Sequence, residues 1–192
     1  MSLGDVTPFH RFARVYDLVM PGERGNQTAV ALSSADRDVE RVLDVGGGTG
    51  RISRNLPVDE PVVVDAARGM LEQARSHGLD CVQGDAGTLP VPDDSVDAVV
   101  VVDALHHMAD ATAVFEEAHR VLRPGGVLVV REFDPTTVRG RALVAVEHLV
   151  GFESRFWAPE TLAEQLRDAG LDAAVLESGF GYTVTGTKRE RE

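Results

Sequence analysis

Three groups of residues have the type and spacing to do chemistry. Adjacent imidazoles, His106 and His107, follow a valine-rich run and Asp103. An imidazole titrating near pH ~6.5 can take a proton from an oxygen, nitrogen or acidic carbon as it attacks an electrophile. His106 is the candidate general base, and lining the reaction pocket is the alternative for both histidines, since neighbouring side chains in a turn diverge. A second group is Asp65, which closes the apolar run Pro61-Val62-Val63-Val64. Its carboxylate can accept from two vicinal hydroxyls at once, as a ribose requires, or it can cap the helix that follows. The third is Asp44 followed by Gly46, Gly48 and Gly50. A loop without Cβ atoms lets backbone N–H groups approach a small molecule, and a helix starting at Arg51 aims its N-terminus at an anionic group there. The spacing is G-x-G-x-G. The dinucleotide fingerprint needs G-x-G-x-x-G, and the sixth position is Arg51 counted from Gly46 and Ser53 counted from Gly48.

These groups need strands that end beside one another. Val42, Leu43 and Val45 mark a buried strand before the glycines, and a short helix is expected over Arg51–Leu56, stopped by Pro57. Pro61–Asp65 is a second strand followed by a helix, and Asp80–Val82 a third that delivers Gly84-Asp85-Ala86. Ala98–Asp103 reads as a strand buried on both faces. The acids of Pro92–Asp97 read as a solvated turn. Ala111–Leu122 carries Val114, Phe115, Ala118, Val121 and Leu122 on one face, and Arg123-Pro124-Gly125-Gly126 supplies the breakers before a fifth strand, Val127–Phe133. A helix over Gly140–Val150, a loop over Gly151–Trp157, a helix over Ala158–Ala169 and a hairpin of Ala173–Phe180 with Tyr182–Lys188 complete the chain. Strand, helix, strand, acid is the nucleoside-binding half of a doubly wound sheet, whose ligands sit beyond the carboxyl ends of the strands.

The run Asp44-Val45-Gly46-Gly47-Gly48-Thr49-Gly50, then Asp65 with Met70-Leu71, then Gly84-Asp85-Ala86, then Arg120-Val121-Leu122-Arg123-Pro124-Gly125-Gly126 resembles, in order, the motifs of class I S-adenosylmethionine-dependent methyltransferases. The small enzymes grouped with ubiquinone and menaquinone biosynthesis are the most similar, although Gly47 stands where many members carry a larger residue. The resemblance covers about residues 10–132 and implies a Rossmann-like three-layer α/β sandwich, with a seven-stranded, mostly parallel sheet and an antiparallel last strand. It implies S-adenosylmethionine as cofactor, with Asp44 and the three alternate glycines in the binding loop and Asp65 at the ribose. Asp85 would accept from the adenine amine, with the Ala86 N–H donating to the ring, Ala66 beside them and Asp103 against the methionine end. Met70 either packs on adenine or is a core contact. The segment His10–Leu18 is similar to a helix that covers the cofactor, with Tyr16 or Arg14 toward the methionine end, or it simply packs on the core. Substrate contacts are expected from His106, His107, Phe133, Arg155 and Trp157; the aromatics beside Arg155 suit a planar or anionic acceptor or pack under a helix.

One domain is expected over the 192 residues: a helical cover at 1–37, a cofactor-binding core at 38–135, a short lid at 136–157 and a C-terminal helix and hairpin at 158–192. A formal net charge of -12 opposes attraction to nucleic acid or anionic membrane and leaves small molecules as the favoured partners. Cys81 has no second cysteine with which to pair, the apolar runs are too short to span a bilayer, and the start of the sequence has no signal core, so a cytoplasmic protein is expected. The histidines, His10, His77, His106, His107, His119 and His148, lack cysteine partners at ligand spacing, so no metal is expected. The activity implied is methyl transfer to a small acceptor by in-line displacement. The alternative is a non-catalytic cofactor-binding sensor or a partner subunit.

Overall fold

The computed structural model describes residues 25–149, 151 and 154–190. The expected cover helix, with Arg14 and Tyr16, lies outside the described residues. Among them, seven strands form one sheet: β1 (Arg41–Val45), β2 (Glu60–Asp65), β3 (Asp80–Gln83), β4 (Val96–Val102), β5 (Leu122–Phe133), β6 (Leu171–Glu177) and β7 (Gly181–Lys188). Their order is β3-β2-β1-β4-β5-β7-β6. Only β7 runs against its neighbours, pairing antiparallel with both β5 and β6. From β1 the chain steps outward to β2 and β3, then crosses to β4 on the other side of β1. The loops leaving β1 and β4 therefore diverge, and a crevice opens at the carboxyl edge between them.

Alternation along the strands builds two cores. Leu43, Val99 and Leu128 face one side, against Phe115 and Val121 of α3 (Ala111–Val121) and Leu162 and Leu166 of α5 (Pro159–Asp168). Their neighbours Val42, Ala98, Val100 and Val127 face the other side, against Ala31 and Leu32 of α1 (Gly25–Leu32). Helix α2 (Arg68–Ser76) sets Leu71 and Ala74 on Val63. The three layers follow from this two-sided burial, and β4 is buried at every position. Helix α4 (Val138–Leu149) is different: only Gly140 is buried, while Val138, Val146 and Leu149 are exposed.

Three local expectations are corrected. The segment after the glycines is a 3₁₀ turn at Ser53–Asn55 rather than a helix over Arg51–Leu56, so no helix dipole points at the loop. Strand β5 begins at Leu122 because Leu122 pairs with Val96 across a register shift, and Arg123–Gly126 bulge within the strand instead of preceding it. The turn before β4 is not simply solvated. Asp97 is buried and accepts from the Glu40 and Arg41 N–H groups and from the guanidinium groups of Arg37 and Arg123. Burial alone would raise its pKa, yet the backbone and arginine hydrogen bonds hold it below the usual carboxylate range.

Asp94 has a similar use. Lys188, the one lysine in the sequence, is buried and donates to Asp94 Oδ1 at 2.7 Å and to the His119 and Leu122 carbonyls at 2.8 Å each. Three donors meet three acceptors, pinning the end of β7 to the carbonyls at the close of α3. A guanidinium is too wide and flat for this tripod. Lys188→Ala is expected to destabilise the fold by about 2–3 kcal/mol, leaving buried acceptors unmatched, and Lys188→Arg should recover little of that loss. Urea unfolding of the three proteins checks both expectations.

Candidate functional site

The crevice holds a cavity of about 540 Å³. It is lined by the Gly46–Gly48 loop after β1, Asp65 to Ala67 and Met70 after β2, Gly84 to Thr88 after β3, and Asp103, Ala104, His107 and Met108 after β4. The sequence-predicted Asp44, Gly46, Gly48, Asp65, Ala66, Met70, Asp85, Ala86, Asp103, His107 and Arg155 all reach this wall. His106 and Phe133 do not line it, Trp157 borders a smaller adjoining cavity of about 330 Å³ with Met108, Asp110, Arg155 and Gln165, and Gly50 lies under the loop against Leu79.

The loop is shaped from below. Gly46, Gly48 and Gly50 have φ of 71°, 58° and 74°, in the left-handed region. Gly47 is the residue that spacing did not explain. A Cβ there would lie 2.6 Å from Asp44 Cγ and 2.8 Å from the Asp44 carbonyl oxygen, so the extra glycine is a close-approach requirement. Asp44 is buried and accepts from Ser53 Oγ at 2.6 Å. Desolvation pushes its carboxyl up to about 6, against the lowering effect of Ser53. Asp65 braces the loop from the next strand, accepting from Gly48 N–H at 2.9 Å through Oδ2 and from Ala67 N–H at 2.7 Å through Oδ1. Each carboxylate oxygen has lone pairs for one further donor, so the brace and a diol can be held together. Asp85 is fixed in the same manner by the Gly87 N–H at 2.9 Å.

Asp103 leaves β4 with φ of 52°, a conformation uncommon outside glycine and costly by ~1 kcal/mol or more. Its N–H donates to the Arg131 carbonyl, and its carboxylate lies 3.7 Å from Arg51 Nη2. The strained residue turns the chain into a 3₁₀ turn at Leu105–His107. There His106 is only 4 % exposed, with Nδ1 at 2.8 Å and 3.0 Å from the two oxygens of buried Glu132 and its ring stacked on Phe156 at 4.5 Å. Burial would lower the His106 pKa, but the Glu132 carboxylate outweighs it and raises the group above the ordinary imidazole range. His107 is pushed down to about 3, first by burial and then by the charge of His106. Glu147 of α4 approaches both: the ligand atoms of His106, His107 and Glu147 lie within 4.8 Å of one another. Sequence spacing missed Glu147 because the lid helix brings it in from a distant part of the chain.

The charge of the cavity bears on which ligands it can take. Asp44, Asp65, Asp85, Asp103 and Asp110 line it against Arg51 and Arg155. A pyrophosphate would meet repulsion here, whereas a cationic nucleoside, with sulfonium and ammonium groups, would be attracted. The residues therefore fit S-adenosylmethionine and oppose a dinucleotide.

Two outcomes follow from the loop. Gly47→Ala should weaken ligand binding at least tenfold, because Asp44 must move, and titration of adenosyl ligands into the variant reads this directly. For Asp44 the native state binds its proton more tightly than the unfolded chain, so its contribution to stability is full below pH ~4 and is lost as pH rises through about 6. The size is on the order of 3 kcal/mol. Unfolding of the wild type and Asp44→Asn across pH 4–7 should show their stability difference shifting by that amount, the wild type losing ground as pH rises.

Comparison with known proteins gives the same direction. Residues 43–130 match the methyltransferase domain family. A demethylmenaquinone methyltransferase of Mycobacterium sp. (strain KMS) is 39 % identical over 126 residues, 65 % of this chain and 54 % of that protein. A malonyl-[acyl-carrier protein] O-methyltransferase of Methylococcus capsulatus is 35 % identical over 159 residues, 73 % of this chain and 56 % of that protein. The chain thus spans a little over half the length of these curated relatives. Among solved structures, a SAM-dependent methyltransferase from Thermotoga maritima superposes with a TM-score of 0.78 at 25 % identity, covering 94 % of this chain and 98 % of that one. With the sheet order, the acid-lined crevice and these likenesses in agreement, the chain is similar in fold and in its donor crevice to the class I S-adenosylmethionine-dependent methyltransferases, and its residues suit S-adenosylmethionine as cofactor.

Proposed function

We propose that the protein transfers the methyl group of S-adenosylmethionine to a small-molecule acceptor, in the cytoplasm and without a nucleic-acid partner. The observation that carries the reading is the excess of carboxylates around a crevice of nucleoside size at the β1–β4 switch point. The curated relatives are named for different acceptors, demethylmenaquinone and malonyl-[acyl-carrier protein], so what they have in common is the donor half, and the acceptor is assigned only as small and organic.

In this proposal Asp65 takes the ribose hydroxyls while still holding the Gly48 N–H, so ribose binding and loop shape are coupled. Asp85 and Ala86 read adenine, Met70 forms its wall, and the Gly46–Gly48 backbone with Asp44 and Asp103 surrounds the methionine end. Tyr16 is assigned to the cover over that end by resemblance. When bound, the sulfonium supplies an activated methyl group, and the protein's task is to hold the acceptor in line with it and keep water out. His107, Arg155 and Trp157 stand on the acceptor side, Arg155 bordering both cavities. His106 and Phe133 stand behind this wall; the Arg155 backbone N–H donates to the His106 backbone carbonyl at 2.9 Å, tying the Arg155 segment to the histidine turn, and because the His106 ring does not line the cavity the general-base role is not part of this proposal. The division into cover 1–37, core 38–135, lid 136–157 and C-terminal unit 158–192 is part of the same proposal.

Calorimetry tests the donor half: S-adenosylhomocysteine should bind in the micromolar range, roughly -7 to -9 kcal/mol, and NADH should not bind. Asp65→Ala should lose about 1.5–3 kcal/mol of that affinity, with circular dichroism unchanged. A screen of phenols, quinols, amines, thiols and carboxylic acids for release of S-adenosylhomocysteine then tests turnover. Tight cofactor binding with no acceptor in any class would replace the enzyme by a cofactor-binding sensor or partner subunit.

A further inference from the structure

We propose that His106, His107 and Glu147 form a binding site for a divalent transition-metal ion, Zn²⁺ being the ion whose ligand preferences fit, beside the acceptor end of the cofactor cavity. Two imidazoles and one carboxylate are the protein ligands of an open tetrahedral zinc site, which keeps its fourth position for water or substrate. Here the three ligand atoms are no wider apart than 4.8 Å, and His106 Nε2 is 3.7 Å from Glu147 Oε1. Two metal–ligand bonds of ~2.0–2.2 Å at a tetrahedral angle span about 3.4 Å, so this pair needs little adjustment.

Two further observations point to a cation. His106 Nδ1 is engaged by both oxygens of Glu132, a carboxylate buried behind the ring. When the ring gives up its second proton to a metal, that contact keeps the remaining proton on Nδ1 and leaves Nε2, on the Glu147 side, as the ligand atom, the arrangement in which a carboxylate orients a metal-binding histidine. Second, Glu147 Oε2 is buried with no hydrogen-bond partner among the described residues. A carboxylate oxygen withdrawn from water without a donor is costly unless a cation or a proton meets it. Glu132, Glu147 and Asp103 together surround His106 with negative charge, which a divalent ion would offset.

His107 alone of the three lines the large cavity, so it is the ligand through which the metal site would adjoin the acceptor side. The chemical consequence rests on the methyl-transfer reading above. An acceptor hydroxyl or thiol bound at the metal releases its proton to solvent, its oxygen or sulfur then bonds to the methyl carbon, and the carbon–sulfur pair of the donor leaves with sulfur as the neutral thioether. The methylated product is uncharged and a weaker ligand, which favours its release. The acceptor class is therefore one with an ionisable oxygen or sulfur.

The test uses the whole chain, stripped with chelator and free of cofactor and acceptor. Isothermal titration with ZnCl₂ and visible spectra with Co²⁺ should show about one equivalent bound, with tetrahedral cobalt bands. Glu147→Gln and His107→Ala should each weaken binding at least tenfold and remove those bands, thermal melting verifying that both variants fold. Absence of a stoichiometric site, or binding unaltered in both variants, overturns the proposal and leaves the cluster a hydrogen-bonded ion group. S-adenosylhomocysteine titrated into the chelated protein is the separate arm. Its binding without Zn²⁺ uptake sinks the metal site alone, whereas Zn²⁺ uptake that depends on Glu147 without S-adenosylhomocysteine binding sinks the donor reading and leaves the metal site standing.

Discussion

The structure depends on a constraint at its centre: β4 has neighbours on both edges and helices on both faces, and no residue in it reaches water. A strand so enclosed can carry polar or chemically active groups only where it ends. Its carboxyl end is therefore where Asp103 appears, forced into a left-handed conformation, and where the histidine turn begins. The neighbouring strand β1 ends in the same layer with the glycine loop. Because the chain moves away from β1 on one side and returns on the other, nothing in the sheet fills the gap between these two ends. The cavity is a by-product of strand order, and acids from the strand ends line it.

Much of this was legible in the sequence, for a physical reason. Consecutive valines, glycines at fixed intervals and an acid after each apolar run are local signals, and Asp44, Asp65 and Asp85 each act within a few residues of the strand that carries them. The hairpin was legible in the same way, and the antiparallel strand came from the resemblance to a known family. Less legible were features created by distant partners. Asp97 looks like one more acid in a polar turn until Arg37 and Arg123 arrive from other elements. Leu122 looks like the last residue of a helix until Val96 pairs with it. Gly47 is explained only by the position of the Asp44 carboxyl beneath it.

The histidines mark the limit most clearly. From the sequence His106 and His107 are adjacent imidazoles, with His106 the candidate base. In the fold one is stacked on Phe156 with its Nδ1 against Glu132, and the other faces the cavity. Their difference comes from Glu132 on β5, Phe156 beyond the lid helix and Glu147 within it, none of which lies within twenty residues of the pair. Position along the chain fixes which groups can reach a site, and the packing of remote elements decides which of them is solvated.

The buried tripod at Lys188 has a practical consequence for anyone handling the protein. With its one ε-amine enclosed by Asp94 and two carbonyls, the folded chain offers amine-directed reagents no lysine on its surface. Succinimidyl dyes, amine-coupled sensor surfaces and lysine-bridging cross-linkers therefore find no exposed lysine side chain on this fold. Appearance of label at Lys188 would then report opening of the β7 end, which makes the reagent a probe of local unfolding as well as a tag.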